Sequence, residues 1–495
     1  MTDYEKLKTQ FREIGYLNRT IALLDWDHET YLPAKGVDYR ADQQAFLSGM
    51  AHNRLVGAKV KELIEACESN QANLNTHEQI NIREWRKDYD RSVKLPTEFV
   101  ERFEKTCSLA KASWAEARRE NKFEIFSNHL EQIIDLSRQK ADYYGYEQTA
   151  YDALMDVYEP GCTTESLSPV FADLKKSIVA WLPEAIETTQ DITDTFLKDD
   201  YPIAGQIKLN EIISRALEFD FESGRIDATT HPFCTELGPH DVRLTTRYEA
   251  DDFTVSLYSV LHEAGHGLYE QGFKSEHAGT PMAEAGSLGI HESQSRLWEN
   301  KVGRAPAFWN DWHSIACEHL PALKRFTPEQ LTKAVNRVSP SYIRVEADEV
   351  TYDLHIILRY ELEKALIAGD LHVKDIPGVW NEQFKGMFGI EVPDDAQGCL
   401  QDIHWSMGGF GYFPTYSLGN LNSAQLYASA QKALGPQLGD LQNGNYHGLL
   451  EWLRTNVHQF GKQYSPVQLM QNATGKPPQP DYHWSYLKDR FSSMG

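Results

Sequence analysis

Apolar residues along the first third of the chain recur every three or four positions. Leu7, Phe11, Ile14, Leu17, Ile21 and Leu24 fall on one face of a helical repeat, and the Pro33 to Gly36 stretch interrupts them. The same spacing predicts helices from Val37 to about Cys67, from Thr76 past Tyr89, from Thr97 to Arg119 and from Phe123 to Tyr144. Leu, Ile, Phe and Trp alternate there with charged residues, and β-branched runs are few. These stripes predict core packing, so the N-terminal part reads as a helical lobe, roughly residues 1–200.

The pattern changes in the middle. Val242, Leu244 and Thr246 alternate with Arg243, Thr245 and Arg247, a period of two that predicts a strand. A turn-rich connection containing Pro232, Gly238 and Pro239 precedes it, which places a small β element near residues 231–250. Asp251 and Asp252 are candidate N-caps for the next helix. Phe253, Leu257, Val260, Leu261, Ala264 and Leu268 form its buried face, with Gly272 placed as a C-cap. Further helices are expected over Ser287 to Lys301, over Tyr342 to Ala368 and near Tyr486. Between them, Trp405 to Tyr416 mixes glycines with aromatics and reads as an irregular packed loop. No repeat or linker divides the chain. The expected fold is mainly α, a single helical unit over residues 1–495.

Charge and cysteine usage narrow the partners. The chain carries 49 basic and 72 acidic residues, a formal charge of −23, which gives no footing for nucleic acid or an anionic membrane. No window approaches ~18 uninterrupted apolar residues, and the start from Met1 to Lys8 lacks the apolar segment of a secretory leader. The six cysteines are scattered without a C-x-x-C pair, as expected of free thiols in a reducing cytoplasm.

The chemistry concentrates in His262-Glu263-Ala264-Gly265-His266. Imidazoles at i and i+4 project from one helix face and can reach one tetrahedral metal, while the glutamate between them is placed to take a proton from water. Chance would produce such a pattern in a chain this long about 5% of the time, and the capped amphipathic context argues against chance. A hydrolytic zinc site needs a third protein ligand. Glu270, Glu276, Glu284, Glu292 and Glu299 are all candidates, and spacing does not choose among them.

Five short motifs occur in order: His231-Pro232-Phe233, Asp241-Val242-Arg243-Leu244-Thr245, His262 to His266, His291-Glu292-Ser293-Gln294, and Ile343-Arg344-Val345-Glu346-Ala347-Asp348. A sixth block follows, Gly398 to Trp405 running into Gly411 to Tyr416. Together they resemble the signatures of the carboxypeptidase Taq family of zinc carboxypeptidases, over essentially the whole chain. The resemblance implies a saddle-like helical fold with a deep groove, a homodimer, and removal of C-terminal residues from peptides with broad side-chain tolerance. It implies Zn2+ as the metal, with Co2+ able to substitute, and it selects Glu292 as the third ligand beside His262 and His266.

Roles follow from that resemblance and from residue chemistry. Glu263 is the expected general base. Tyr412 and His404 are candidates for stabilising the oxyanion, with Tyr416 as the alternative. Arg344 is the expected anchor for the substrate carboxylate, because a guanidinium offers a planar bidentate donor; a pairing with Glu346 or Asp348 is the structural alternative. Arg243 reads either as a substrate contact or as half of a buried ion pair. His231 either lines the groove or caps a turn. Related peptidases keep an aspartate four residues after the third ligand. Arg296 stands there instead, so the orienting groups must come from elsewhere, with Asp348 one candidate. The competing functions are an endopeptidase or dipeptidase with the same helix, or a helical metal-binding protein without activity.

Overall fold

A computed structural model describes residues 1–435, 444–492 and 494. Helices dominate it. In chain order they are α1 (Asp3–Thr30), α2 (Val37–Leu55), α3 (Ala58–Ser69), α4 (Thr76–Lys94), α5 (Thr97–Glu120), α6 (Glu124–Tyr144), α7 (Ala150–Met155), α8 (Thr164–Thr189) and α9 (Ile203–Ala216). After the sheet come α10 (Phe253–Glu270), α11 (Leu288–Arg296), α12 (Pro306–His319), α13 (Pro328–Val335), α14 (Tyr352–Ala368) and α15 (Ile376–Phe388). The last are α16 (Pro414–Leu434), α17 (His447–Asn456), α18 (Pro466–Thr474) and α19 (Asp481–Ser492). None is long and apolar enough to cross a membrane.

The buried residues group by packing partner. Leu7, Phe11, Ile64 and Trp85 form a small core joining α1, α3 and α4, with Phe11 stacked on Trp85 at 4.7 Å. Helices α5, α6 and α8 share a larger core with α14 and α15 through Phe126, Phe171, Ile356 and Trp380. A second large core surrounds α10, where Leu257, Leu261, Trp298 and Trp309 meet.

Several boundaries differ from the sequence expectation. The stretch from Val37 to Cys67 is two helices, α2 and α3, broken at Val56 and Gly57. The expected Ser287 to Lys301 helix is α11 followed by a π-helical turn from Leu297 to Gly303. The segment expected to begin a helix at Tyr342 is a 3₁₀ turn, Arg344–Glu346, and α14 starts only at Tyr352. Asp348 explains this, because its carboxylate accepts the Val350 and Thr351 N–H groups and the Thr351 hydroxyl, turning the chain before the helix. Gly272 is not a left-handed cap; α10 ends on Gln271, and a side chain at position 272 would meet His458 Nδ1 at 2.4 Å.

The sheet has three strands in the order β1 (Gly224–Ala228), β3 (Asp241–Thr246), β2 (Cys234–Gly238). β1 runs parallel to β3 and β2 antiparallel, so the β element begins before the expected window. Val242 and Leu244 face the core as expected. Thr245 is also buried, because its hydroxyl bonds both the N–H and the carbonyl of Phe233. Leu244 lies against α10 where only Gly267 leaves room, a Cβ there being 2.8 Å from Leu244 Cδ2.

Candidate metal centre

Helix α10 forms where the sequence places it. Asp252 is the N-cap, its carboxylate accepting the Thr254 N–H at 2.9 Å, and Phe253, Leu257, Val260, Leu261, Ala264 and Leu268 are all buried. His262 and His266 stand on the other side of the helix. Helix α11 crosses there, and Gly265 permits the approach: a Cβ at that position would lie 2.6 Å from the Gln294 carbonyl oxygen and 2.6 Å from Ser295 Cα. Gly419 on α16 does the same behind α11, its absent Cβ leaving the room that Glu292 Cγ occupies. Two glycines on two helices thus set Glu292 opposite the two histidines.

Glu292 Oε2 lies 3.5 Å from His262 Nε2 and 3.4 Å from His266 Nε2. Donors bound tetrahedrally at about 2.1 Å stand roughly 3.4 Å apart, so these separations suit one metal ion. Among the described residues this is the group of three His, Cys, Asp or Glu side chains close enough to hold one. The remaining imidazole nitrogens are tied off, His262 Nδ1 on Glu299 Oε2 at 2.9 Å and His266 Nδ1 on the His291 carbonyl at 3.0 Å. Each Nδ1–H therefore donates outward, and each Nε2 keeps its lone pair for the centre.

The charge around these donors is strongly organised. Burial raises Glu292, but Arg296 and the two histidines outweigh it and hold the carboxyl well below its usual range. Burial likewise opposes ionisation of Glu299, which Arg296 and His262 bring down to about 2. At His262, burial disfavours the imidazolium, yet Glu292, Glu299 and Glu263 lift it to about 9. At His266, burial and the neighbouring His291 bring the ring down to about 3. Glu263, buried beside His262, is pushed up to about 7 by desolvation, with His262 pulling the other way.

Arg296 resolves the missing aspartate. Its Nε donates to Glu292 Oε1 at 2.7 Å and its Nη1 to Glu299 Oε2 at 3.3 Å, and it lies over the Tyr352 ring. The orienting carboxylate for His262 is Glu299, not Asp348, which is spent on the turn before α14. The signal was in the sequence, since Glu292, Arg296 and Glu299 follow i, i+4, i+7 and share a helix face. Glu299→Gln is expected to weaken metal binding 10–100-fold with the helical content unchanged, as measured by competition with a chromophoric chelator.

The start of α11 is held from the turn that follows α7. The Leu288 N–H donates to the Tyr158 carbonyl, the Gly289 N–H to the Glu159 carboxylate, and the Ile290 N–H to the Ser287 hydroxyl. Burial pushes the Glu159 carboxyl up to about 8 despite those donors. The folded protein therefore keeps a proton that the unfolded chain releases near pH 4.5, so this group's contribution is complete below that pH. It is lost as pH rises towards 8. Glu159→Gln is expected to remove that part of the slope, leaving melting temperature flatter than wild type between pH 5 and 8.

The residues expected to serve the substrate form a second cluster. Arg344 is buried. It donates to Asp402 Oδ1 from Nε at 3.0 Å and Nη2 at 2.8 Å, and to the Tyr352 hydroxyl from Nη1 at 3.0 Å. Its acidic partner is thus neither Glu346 nor Asp348. Asp402 also accepts from Arg359 on α14. His404 Nε2 lies 3.2 Å from the Tyr416 hydroxyl, and burial brings the imidazole down to about 4, against the pull of Asp402. Tyr412 packs among Tyr158, His404 and Tyr416. Burial first, then the Glu292 charge, raises its phenol, which puts Tyr412 within electrostatic reach of the metal donors. Tyr416 stands on the first turn of α16, so the irregular loop ends at Phe413.

Arg243 and His231 are placed differently. Arg243 pairs with Asp241 through Nε at 2.8 Å and Nη2 at 2.9 Å, and lies 4.2 Å above the Trp26 ring of α1. That is an ion pair, though not a buried one, since the Asp241 side chain is 41% exposed, and it carries an aromatic stack the sequence did not reveal. His231 is exposed at the turn before β2.

Two imidazoles and a carboxylate facing a common point, with a buried glutamate beside them on a helix, define a metallohydrolase. Comparison with known proteins specifies which. A profile of the carboxypeptidase Taq (M32) metallopeptidases matches residues 6–491. Thermostable carboxypeptidase 1 of Thermus thermophilus is 38% identical over 99% of this chain and 98% of its own length. Carboxypeptidase 1 of Bacillus subtilis is 36% identical over 98% and 97%. The crystal structure of the M32 carboxypeptidase from Deinococcus radiodurans R1 superposes with a TM-score of 0.97 at 37% identity, covering 100% of this chain and 99% of that one. The chain belongs to the carboxypeptidase Taq (M32) metallopeptidase family, and it is a metal-dependent carboxypeptidase.

Proposed function

We propose that the protein releases C-terminal amino acids one at a time from peptides of varied sequence, using zinc held by His262, His266 and Glu292. The observation that carries this is the donor triad at tetrahedral spacing with both outer imidazole nitrogens already committed. When bound, the metal supplies Lewis acidity to the attacking water and to the scissile carbonyl. Cobalt suits the same donors, since N/O ligand sets discriminate weakly between these ions.

Glu263 takes the proton of the attacking water and delivers it to the leaving amine, a role suited to a carboxyl whose pKa of about 7 lies near the working pH. The developing oxyanion needs further donors, and Tyr412 supplies one from its phenol. His404, neutral at pH 7, orients Tyr416 and through it the aromatic wall beside Tyr412. Arg344 reads the free C-terminus. Of the five N–H donors of a guanidinium, three are committed to Asp402 and Tyr352. The remaining two, one on each Nη, suit a carboxylate bound end-on. Arg243 serves by holding α1 against the sheet through Trp26.

The working form is proposed as a cytoplasmic homodimer of one helical unit over residues 1–495, acting on peptides with a free C-terminus and not on nucleic acid or membranes. The six free cysteines and the charge of −23 suit that compartment and those exclusions. Tyr39, Phe46 and Met50 lie on one face of α2 and are exposed, a surface that a second copy could cover. Dialysis against a chelator is expected to abolish release of C-terminal residues from a test peptide, and stoichiometric Zn2+ or Co2+ to restore it. Full hydrolysis by protein with no measurable metal would sink this reading.

A further inference from the structure

We infer that Glu363 is a positioning residue for the reaction: its buried carboxylate fixes the Trp405–Tyr412 segment and so sets where the Tyr412 hydroxyl stands. The inference rests on the reading of Tyr412 as an oxyanion donor. Glu363 lies on α14, fully buried, far along the chain from any metal ligand. Its Oε1 accepts the Trp405 indole N–H at 2.9 Å, and its Oε2 accepts the Gly411 N–H at 3.0 Å and the Tyr151 hydroxyl at 2.7 Å. Trp405 and Gly411 stand at the two ends of the loop that separates His404 from Tyr412. One carboxylate therefore ties both ends, and Tyr151 anchors that carboxylate to α7.

The far side of the loop is equally constrained. Gly411 has φ of +89°, and a Cβ there would lie 2.7 Å from the Met155 backbone nitrogen, so the chain is pressed onto the end of α7. Tyr412 follows directly, with its ring centroid 5.1 Å from Tyr158 and 5.5 Å from Tyr416. A clamp on Gly411 is thus a clamp on the first bond of Tyr412.

The chemistry of the clamp argues against simple core filling. The guanidinium of Arg359, on the same helix, is engaged by Asp402, and the donors that hydrogen-bond Glu363 are all neutral. Burying a carboxyl among neutral donors is unfavourable compared with an apolar side chain of the same size. What it uniquely provides is two acceptor oxygens and no obligatory donor, which three converging N–H and O–H groups require. Glutamine matches the side chain in volume and removes a charge that burial opposes, so the fold tolerates it. The amide must present its NH2 to one of the three donors and so loosens one end of the loop.

A kinetic double-mutant cycle tests this. Glu363→Gln, Tyr412→Phe and the double variant are compared for kcat, KM and bound metal, with Tyr151→Phe as a milder variant that leaves the carboxylate in place. Misplacement of a reacting group by about 1 Å can cost on the order of 100-fold. Glu363→Gln is therefore expected to lower kcat about 10- to 100-fold with KM and metal content unchanged. The double variant should be no slower than Tyr412→Phe alone. Should Glu363→Gln fail to fold, Tyr151→Phe carries the test, with a several-fold loss in kcat that disappears in the Tyr412→Phe background. Multiplicative losses in either cycle, or wild-type kcat in Glu363→Gln, would overturn the positioning role while leaving Tyr412 in place. Wild-type kcat in Tyr412→Phe would remove the role of Tyr412 itself, and the inference with it.

Discussion

Glu263→Gln is expected to lower kcat by about 10³- to 10⁴-fold, at the upper end of what a positioned acid–base group contributes, with bound metal near wild-type level. Glutamine keeps the volume of this buried side chain, so the packing of α10 is preserved, and it retains an oxygen that can accept a hydrogen bond from water. It cannot take the proton. The pKa of about 7 matters here, because a carboxyl this close to neutrality can both accept a proton in the attack and release it to the amine. Removing a carboxyl whose charge is opposed by burial and by neighbouring Glu292 also favours a folding stability equal to or above wild type. Loss of activity would therefore not reflect unfolding. Paired measurements of kcat and metal content decide the matter, and activity within tenfold of wild type would remove Glu263 from the chemistry.

Arg344→Ala is expected to reduce kcat/KM on peptides with a free C-terminus by about 10³-fold. Truncating one member of a buried hydrogen-bonded charge pair typically costs about 2–5 kcal/mol, which spans this factor. Arg344→Lys should recover little, because an ammonium offers no planar pair of donors. Part of the loss could come from structure, since Asp402 loses one of two partners. Arg359 still holds Asp402 through its Nε at 2.6 Å, so the fold is expected to survive with a lowered melting temperature. Amidated peptides separate the two effects. Their turnover, already slow without a carboxylate to bind, should be unchanged by Arg344→Ala if Arg344 acts on the substrate, and should fall in parallel if it acts only through the fold.

Apart from its C-cap, helix α10 was legible from the sequence because what specifies it is local: the cap at Asp252, the apolar back face and the i, i+4 histidines. The third ligand was not, because spacing left five glutamates open. The choice is made by Gly265 and Gly419, small residues on two other surfaces whose role appears only when helices pack. Glu299 carried a readable signal in its spacing from Glu292 but was weighed as a ligand, whereas its carboxylate bonds the outer nitrogen of His262. The start of α14 was misplaced because the apolar pattern runs through Tyr342 to Val350, while Asp348 bonds the backbone locally and wins. Strand β1 was missed because its partner β3 is distant and its five residues alternate weakly. Arg344 and Asp402 lie far apart in the chain, and no local pattern joins them. Arg359 and Glu363 offered a clue, two charges four residues apart on one face of a helix rich in Leu, Ile and Tyr.

The central claim is that this site removes residues from a free C-terminus by metal-dependent hydrolysis. Mass spectrometry of one peptide of mixed composition tests it most directly, with free and amidated C-termini, metal-replete enzyme and a chelated control. Stepwise loss from the free end alone, abolished by chelation, is the expected result; equal trimming of the amidated peptide, or cleavage at internal bonds, would contradict it.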